Sequence, residues 1–285
     1  MMRIISVLNH KGGVGKTTFT GSTAQALALI GYRTLAIDND SQHNLSSMLG
    51  VGVLYPNIRD IYRADQTQAP AQFLKAVRKT EIPNLHIITA CSDLSDSDVS
   101  SIDHLNKTIS SCKLERFYDF VIFDNAPGID HLQASTILAS DKIFVPTELK
   151  QFAVDGIVEM DLTIKERYPE GSRITKIVPN FYKSTKRQNS FIAALDKIFP
   201  EKVTKTTIPV DSVFDELVTD NKILFLHRLY SKGAACYIKL VHELFDLDEN
   251  SVWEQVKDKR DLKIKDDARK RLTDRKFTKD KTENG

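Results

Sequence analysis

The sequence predicts an α/β fold, a doubly wound, mainly parallel sheet flanked by helices. Three observations carry this reading. Short apolar runs of strand type alternate with helix-length periodic stretches, the pattern of successive βαβ units. The first run ends in a glycine-rich turn, "NHKGGVGKTT", that leads directly into a helical segment. Two further runs end in aspartates, Asp38 and Asp124, and sheets of this kind bind ligands beyond the carboxyl ends of their strands.

In chain order, "RIISVLN" at residues 3–9 is the first strand. Residues 17–30 follow as a helix, with Phe19, Thr23, Ala26, Leu27 and Ile30 on one face and Gly31 as its stop. Further strands are expected at residues 34–38, 85–89, 120–124, 142–146 and 174–179. Each is a short apolar run rich in β-branched or aromatic residues. Helices are expected at residues 190–199 and 234–245. No internal repeat is visible. From about Ser251 the pattern weakens into "KDKRDLKIKDDARKRLTDRKFTKDKTENG". Residues 1–250 are therefore expected to form one domain, and 251–285 a basic extension, partly helical and partly disordered.

Composition sets the outer limits. The 285 residues are 41% hydrophobic and 27% charged, ordinary for a globular chain. No apolar run approaches the roughly 18 residues of a membrane span. The N-terminus enters the first strand too quickly to read as a signal peptide. Cys91, Cys112 and Cys236 are scattered, without metal-like spacing, so a reducing cytosol is expected. Charge is uneven: residues 257–285 carry 12 Lys/Arg against 7 Asp/Glu, and the preceding residues 28 against 31.

The glycine-rich turn carries chemistry. A phosphate-binding loop asks for Gly, four free positions, then Gly-Lys-Ser/Thr. Gly15, Lys16 and Thr17 satisfy the end, but His10 stands where the first Gly belongs and a second lysine, Lys11, follows it. Gly12, Gly13 and Gly15 let backbone N–H groups approach phosphate oxygens at a helix N-terminus. Lys16 then reaches the β- and γ-phosphates and the Thr17 hydroxyl ligates Mg²⁺. A turn that binds nothing is the competing reading, but three Gly, two Lys and a hydroxyl coincide by chance at about 10⁻⁷ per position.

"KGGVGKTT" resembles the deviant Walker A motif of the ParA/MinD family of ATPases, in which the extra lysine defines the group. The resemblance implies ATP and Mg²⁺ as cofactors, held by Lys11, Gly12, Gly13, Val14, Gly15, Lys16, Thr17 and Thr18. It implies that Lys11 crosses the interface of an ATP-dependent homodimer to the partner's phosphates, as an arginine finger does. "LAIDNDSQHNL" resembles the family's D-x-D-P-Q-x-N segment with Ser41 in place of Pro. By that likeness Asp38 supports the Mg²⁺ site and Asp40 positions the attacking water, completing a catalytic set of Lys11, Lys16 and Asp40. Alone, the two acids would read as turn or cap residues; the 24-residue spacing from Lys16 to Asp40 favours the family role.

In "YDFVIFDNAPG", Asp124 resembles the Walker B acid near Mg²⁺, directly or through water. The family's D-x-P-P becomes Asp124-Asn125-Ala126-Pro127, which puts the rigidity of that loop in question. "KIVPNFY" resembles the strand end that carries an adenine-contacting residue, here Asn180, and a plain polar turn remains the alternative. "IPVDSVFDE" and "YSKGAACYIKLVHEL" also look like family segments, so the resemblance spans about residues 2–246.

Within the family, iron–sulfur carriers and metal pumps need clustered cysteines that the chain lacks. The bacterial tyrosine kinases carry a tyrosine tail, and here the last tyrosine is Tyr237. The first strand begins at the start of the chain, so an N-terminal helix-turn-helix is not expected. The remaining expectation is a short ParA-type partition ATPase, cytoplasmic and nucleoid-associated. Its ATP dimer would bind DNA without sequence preference, and a ParB-type centromere-binding adaptor would stimulate a slow hydrolysis. Candidate DNA contacts are Lys183, Lys186, Arg187, Lys222 and Arg228, with the tail from Lys257 to Lys281; as single residues they also read as solvated surface charge. The alternative is a MinD-like positioning ATPase on a membrane, through a face of Ile264, Ala268 and Leu272. That face is thin, with Phe277 its only aromatic, and Trp253 and Val256 are expected to pack on the domain. A nucleotide-dependent scaffold, the non-enzymatic reading, would need an inactive Asp40.

Overall fold

The computed structural model describes residues 2–150, 152–214, 224–247, 254–258 and 261. Among them, seven strands form one sheet: β1 (Arg3–Val7), β2 (Thr34–Asn39), β3 (Val77–Lys79), β4 (Leu85–Ile88), β5 (Phe120–Asn125), β6 (Lys142–Glu148) and β7 (Ile174–Asn180). Their order is β3-β4-β2-β5-β1-β6-β7. All neighbours are parallel except the edge pair β3–β4. After β1 the chain winds to one side through β2, β3 and β4, returns in β5, and crosses to the other side in β6 and β7. β1 therefore sits where the winding reverses, the place where such sheets bind ligands.

The six predicted strands are present, and four run further than expected: β2 to Asn39, β5 to Asn125, β6 to Glu148 and β7 to Asn180. Each extension adds polar residues at the carboxyl end, where apolar periodicity stops but the ladder does not. Strand β3 was not anticipated, since a three-residue run of Val, Arg and Lys carries no alternation.

Period-two alternation divides the strands between two buried faces. Ile5, Ala36, Ile122 and Phe144 meet α1 (Lys16–Leu29) and the C-terminal helices α9 (Leu224–His227) and α10 (Lys232–Phe245) in one cluster with Phe19, Leu27 and Tyr237. Leu35, Ile37, Val121 and Phe123 face a second cluster. It is built on α3 (Ile58–Arg63), α4 (Ala69–Ala76), α5 (His104–Cys112) and α6 (His131–Ala139), with α2 (Asn44–Met48) lying against α1. Ile143, Val145 and Ile177 complete a third with α7 (Ala153–Arg167) and α8 (Lys186–Ile198).

Helix α1 departs from the single-face expectation. Every residue from Phe19 to Leu29 is buried, because α2, α9 and α10 cover the side turned away from the sheet. The enclosure takes in polar side chains as well, Thr20, Ser22, Thr23 and Gln25 among them. A Cβ on Gly21 would lie 2.6 Å from Met48 Sδ, which shows how closely α1 and α2 pack.

Helices α8 and α10 start earlier than predicted, at Lys186 and Lys232, because Thr185 and Ser231 cap them by accepting from the Gln188 and Ala234 N–H groups. No described helix is long and apolar enough to cross a membrane. Val256 is buried in the first cluster, as expected. Lys257 is exposed in a short helical segment at residues 254–258. Trp253, Lys222, Ile264, Ala268, Leu272, Phe277 and the other cations of the basic tail lie outside the described residues.

Candidate functional site

The glycine-rich loop leaves β1 and is fixed at its root by Asn9. The Asn9 amide donates to the Pro146 carbonyl at 2.9 Å, and its oxygen accepts from the Lys11 N–H at 2.9 Å. Gly13 and Gly15 adopt φ of 70° and 87°, a region that costs residues with a Cβ. Gly15 has a second reason to be glycine: an added Cβ would stand 2.3 Å from Asn180 Nδ2. Asn180 braces the loop from β7, donating to the Val14 carbonyl at 2.8 Å while its own oxygen accepts from the Phe181 N–H. Both functions of the side chain predicted to contact adenine are thus engaged within the protein.

The two lysines differ in kind. Lys16 is 6% exposed and its ammonium folds back to the Asn9 and Lys11 carbonyls at 3.4 and 3.3 Å. Burial lowers its pKa, and the Asp124 and Asp40 carboxylates oppose that fall. Lys11 has a side chain 56% exposed and sits 3.4 Å from Glu148 Oε2, while the other Glu148 oxygen pairs with Lys150 at 2.5 Å. An exposed pair of this kind holds by little more than ~1 kcal/mol, so Lys11 is easily redirected.

The sheet register sets Asp38 directly opposite Asp124. Asp38 Oδ2 accepts from the Ser46 N–H at 2.8 Å and the Ser46 hydroxyl at 2.7 Å, and Oδ1 accepts from the Asp40 N–H at 3.3 Å. Asp124 Oδ1 accepts from Thr20 at 3.2 Å. Burial raises the Asp38 carboxyl to about 8, with the nearby Asp124 charge adding to the rise. Burial likewise raises Asp124 to about 7; the Thr17 and Thr20 hydroxyls and Lys16 temper the effect, and Asp40 adds to it. Asp40 is half-buried at the mouth. It folds the turn after β2 by accepting from the Gln42 and His43 N–H groups, through its carboxylate and carbonyl.

A hard divalent cation fits this end of the sheet. Asp124 Oδ2 is buried and, among the described residues, has no hydrogen-bond partner; a cation or its water would satisfy it. Mg²⁺ in phosphate sites is held by one or two carboxylates and a hydroxyl, the rest of its shell being phosphate and water.

Beside the loop lie two cavities. One of about 260 Å³ is lined by His10, Lys11, Glu148 and Phe152 among others. The other, about 390 Å³, is lined by Lys11, Leu149, Lys150, Arg187 and Phe191, with the Arg187 guanidinium over the Phe191 ring. Arg187 is thereby brought to the Lys11 side of the molecule. Lys183 and Lys186 are exposed on the adjoining loop and first turn of α8, and Arg228 is exposed after α9. Thr18 is half-buried in the first turn of α1. Asn9, Thr20, Ser46 and Glu148 were not singled out in the sequence. The positions of Asn9 and Glu148 at the carboxyl ends of apolar runs offer a local signal, and Thr20 and Ser46 have none of that kind.

Comparison with known proteins agrees with the fold. Residues 2–175 match a family model described as an AAA domain. The chromosome partitioning protein ParA of Caulobacter vibrioides is 30% identical over 264 residues, covering 87% of this chain and 96% of its own length. The sporulation initiation inhibitor protein Soj of Bacillus subtilis is 27% identical, covering 86% and 98%. Among solved structures, the septum site-determining protein MinD of Pyrococcus horikoshii, in complex with Mg-ADP, superposes with a TM-score of 0.71 at 26% identity, covering 86% of this chain and 96% of its own.

Proposed function

Because the chain belongs to that AAA-domain family and, within it, to the ParA/MinD-type partition ATPases, we propose that it segregates DNA as an ATP-driven sandwich dimer. The dimer binds DNA without sequence preference, and hydrolysis, stimulated by a centromere-bound adaptor, releases it. The observation that carries the reading is the contrast of two lysines in one loop: Lys16 buried under the loop, Lys11 exposed at its rim.

In this mechanism the loop N–H groups and the first turn of α1 receive the phosphates, and Lys16 leaves its carbonyl contacts for the β- and γ-oxygens. The Thr17 hydroxyl and the Asp124 carboxylate, with Asp38 behind, would hold Mg²⁺, and the ion would supply positive charge beside the phosphates. Asp40 orients the attacking water. Lys11 gives up Glu148 and reaches the partner subunit's phosphates, so that dimerisation depends on the triphosphate. Loss of the γ-phosphate removes that contact and loosens the dimer. Asn180 fixes Val14 and Gly15 beneath the nucleotide and borders the base. Lys183, Lys186, Arg187, Lys222 and Arg228 supply cations for the DNA backbone.

Anisotropy of a fluorescent random-sequence duplex, titrated at two salt concentrations with Mg-ATP, Mg-ADP or neither, tests the reading. Asp40→Ala serves to hold the ATP state. Binding confined to ATP and weakened steeply by salt is expected. Equal affinity in all three states, or none, would contradict DNA as the track, and transfer of the signal to anionic liposomes would favour the membrane alternative.

A further inference from the structure

The carboxylates at the ends of β2 and β5 lie on one face of the sheet, toward Thr20 of α1 and Ser46 of α2. Period two turns the next residue of each strand to the opposite face, and in both strands that residue is an asparagine. Asn39 and Asn125 are the last register pair of the β2–β5 ladder. They are 0% and 1% exposed. Asn39 Nδ2 donates to Asn125 Oδ1 at 2.9 Å and to the Leu132 carbonyl at 3.2 Å, and Asn39 Oδ1 accepts from the Tyr62 hydroxyl at 3.0 Å. Asn125 Nδ2 donates to Ser6 Oγ at 3.0 Å and to the Val7 carbonyl at 3.1 Å, and Asn125 Oδ1 also accepts from Thr136 at 3.1 Å. The Ser6 and Thr136 hydroxyls close the circuit at 2.8 Å.

Both amides are thus satisfied, and together they tie β1, β2, β5, α3 and α6 at one level. That level is where the chemistry begins. Val7 is the last residue of β1 before the loop, Asn39 separates Asp38 from Asp40, and Asn125 follows Asp124. A fully bonded buried network holds its members in one geometry, whereas an apolar pair would leave the strand ends free to shift. The segment after Asn125 needs such a hold. Ala126 stands where the resembling pattern has the first of two prolines, and alanine does not fix φ as proline does. A long 3.4 Å bond from Gln133 reaches the Ala126 carbonyl.

We propose that Asn39 and Asn125 are positioning residues for hydrolysis, an amide clamp behind the sheet that fixes the ends of β1, β2 and β5 so that Asp40 and Asp124 stay aligned over the loop. Neither touches nucleotide, since both lie on the far face. The clamp rests on the ATPase reading and adds to it the source of rigidity in a chain that lacks one proline. A displacement of about 1 Å at such positions is enough to slow a positioned reaction by about a hundredfold.

The test measures kcat and KM for ATP, Mg-ADP affinity and thermal midpoint for the full-length chain and for Asn39→Ala, Asn125→Ala and the double variant. Thr108→Val is the control, because it removes two hydrogen bonds made by α5, a buried one to the His104 carbonyl and a half-buried one from Gln66, away from the site. The clamp predicts a kcat at least tenfold lower in each single variant, KM and ADP affinity within threefold of wild type, and a double variant no slower than about twice the worse single. Thr108→Val should lose comparable thermal stability and keep its kcat. Variants that lose stability but turn over like Thr108→Val, or that change KM alone, would overturn the proposal. If an alanine variant does not fold, Tyr62→Phe removes only the hydroxyl that Asn39 accepts from. A kcat lowered threefold or more at constant KM supports the clamp, and an unchanged kcat overturns it. A wild-type chain without turnover would remove the ATPase reading and the clamp with it; turnover shared equally by wild type and variants removes the clamp alone.

Discussion

Lys11 and Lys16 are five positions apart and chemically identical, yet their surroundings assign them different work. Lys16→Ala should abolish Mg-ATP binding in equilibrium titrations, while Lys11→Ala should bind with affinity within a few-fold of wild type. The acids make a pH prediction. Burial favours the neutral form and pushes the Asp38 and Asp124 carboxyls up to about 8 and about 7, far above an exposed carboxylate. The native state therefore holds more protons than the unfolded chain between about pH 4 and 8, and the ligand-free fold should lose stability as pH rises through that window. Mg-nucleotide requires the charged forms. Its affinity should rise from pH 6 to pH 8, with protons released on binding, measurable by titration calorimetry in two buffers; pH-independent affinity would contradict the assignment. At this scale the loop was legible because its residues are contiguous. Asp38, Asp40 and Asp124 were legible only through spacing to a known pattern. The groups that set their electrostatics were not: Ser46 lies eight residues from Asp38, and Thr20 lies 104 from Asp124. No local pattern pairs them.

Elements were legible where burial produces a local pattern. Strands covered on both faces read as continuous apolar runs, so six of seven could be placed, whereas the three-residue β3 and the carboxyl-terminal extensions could not. Helix α1 is legible as a helix but not as a fully enclosed one, since two of the three helices that cover its outer side, α9 and α10, come from more than 190 residues away in sequence. Its enclosure gives a stability prediction. Leu27 is fully buried, and Leu27→Ala should cost about 2–5 kcal/mol in chemical denaturation, more than a one-faced surface helix would lose at a position of this kind. Gly15→Ala is the corresponding test of the turn into α1. Positive φ and the Asn180 amide both exclude a methyl group there, so nucleotide affinity should fall at least tenfold while the core, and with it the far-ultraviolet circular dichroism, is retained.

For the whole molecule, the winding order places β1 between β5 and β6 and brings the loop, the two acidic strand ends and Asn180 of β7 to one end of the sheet. Nothing in a single window of sequence dictates that order. It follows from right-handed crossovers and from which strands can bury one another. The exposed Lys11, the cavity it shares with Lys150 and Arg187, and the half-buried Asp40 all open at that end. A second copy placed there would close the site. The most direct measurement is light scattering on size-exclusion fractions of Asp40→Ala protein with Mg-ATP, Mg-ADP or no nucleotide, with and without Lys11→Ala. The account predicts twice the monomer mass with Mg-ATP alone, and monomer in every state once Lys11 is replaced. A Lys11→Ala protein that still dimerises with Mg-ATP, or a parent that never does, would contradict it.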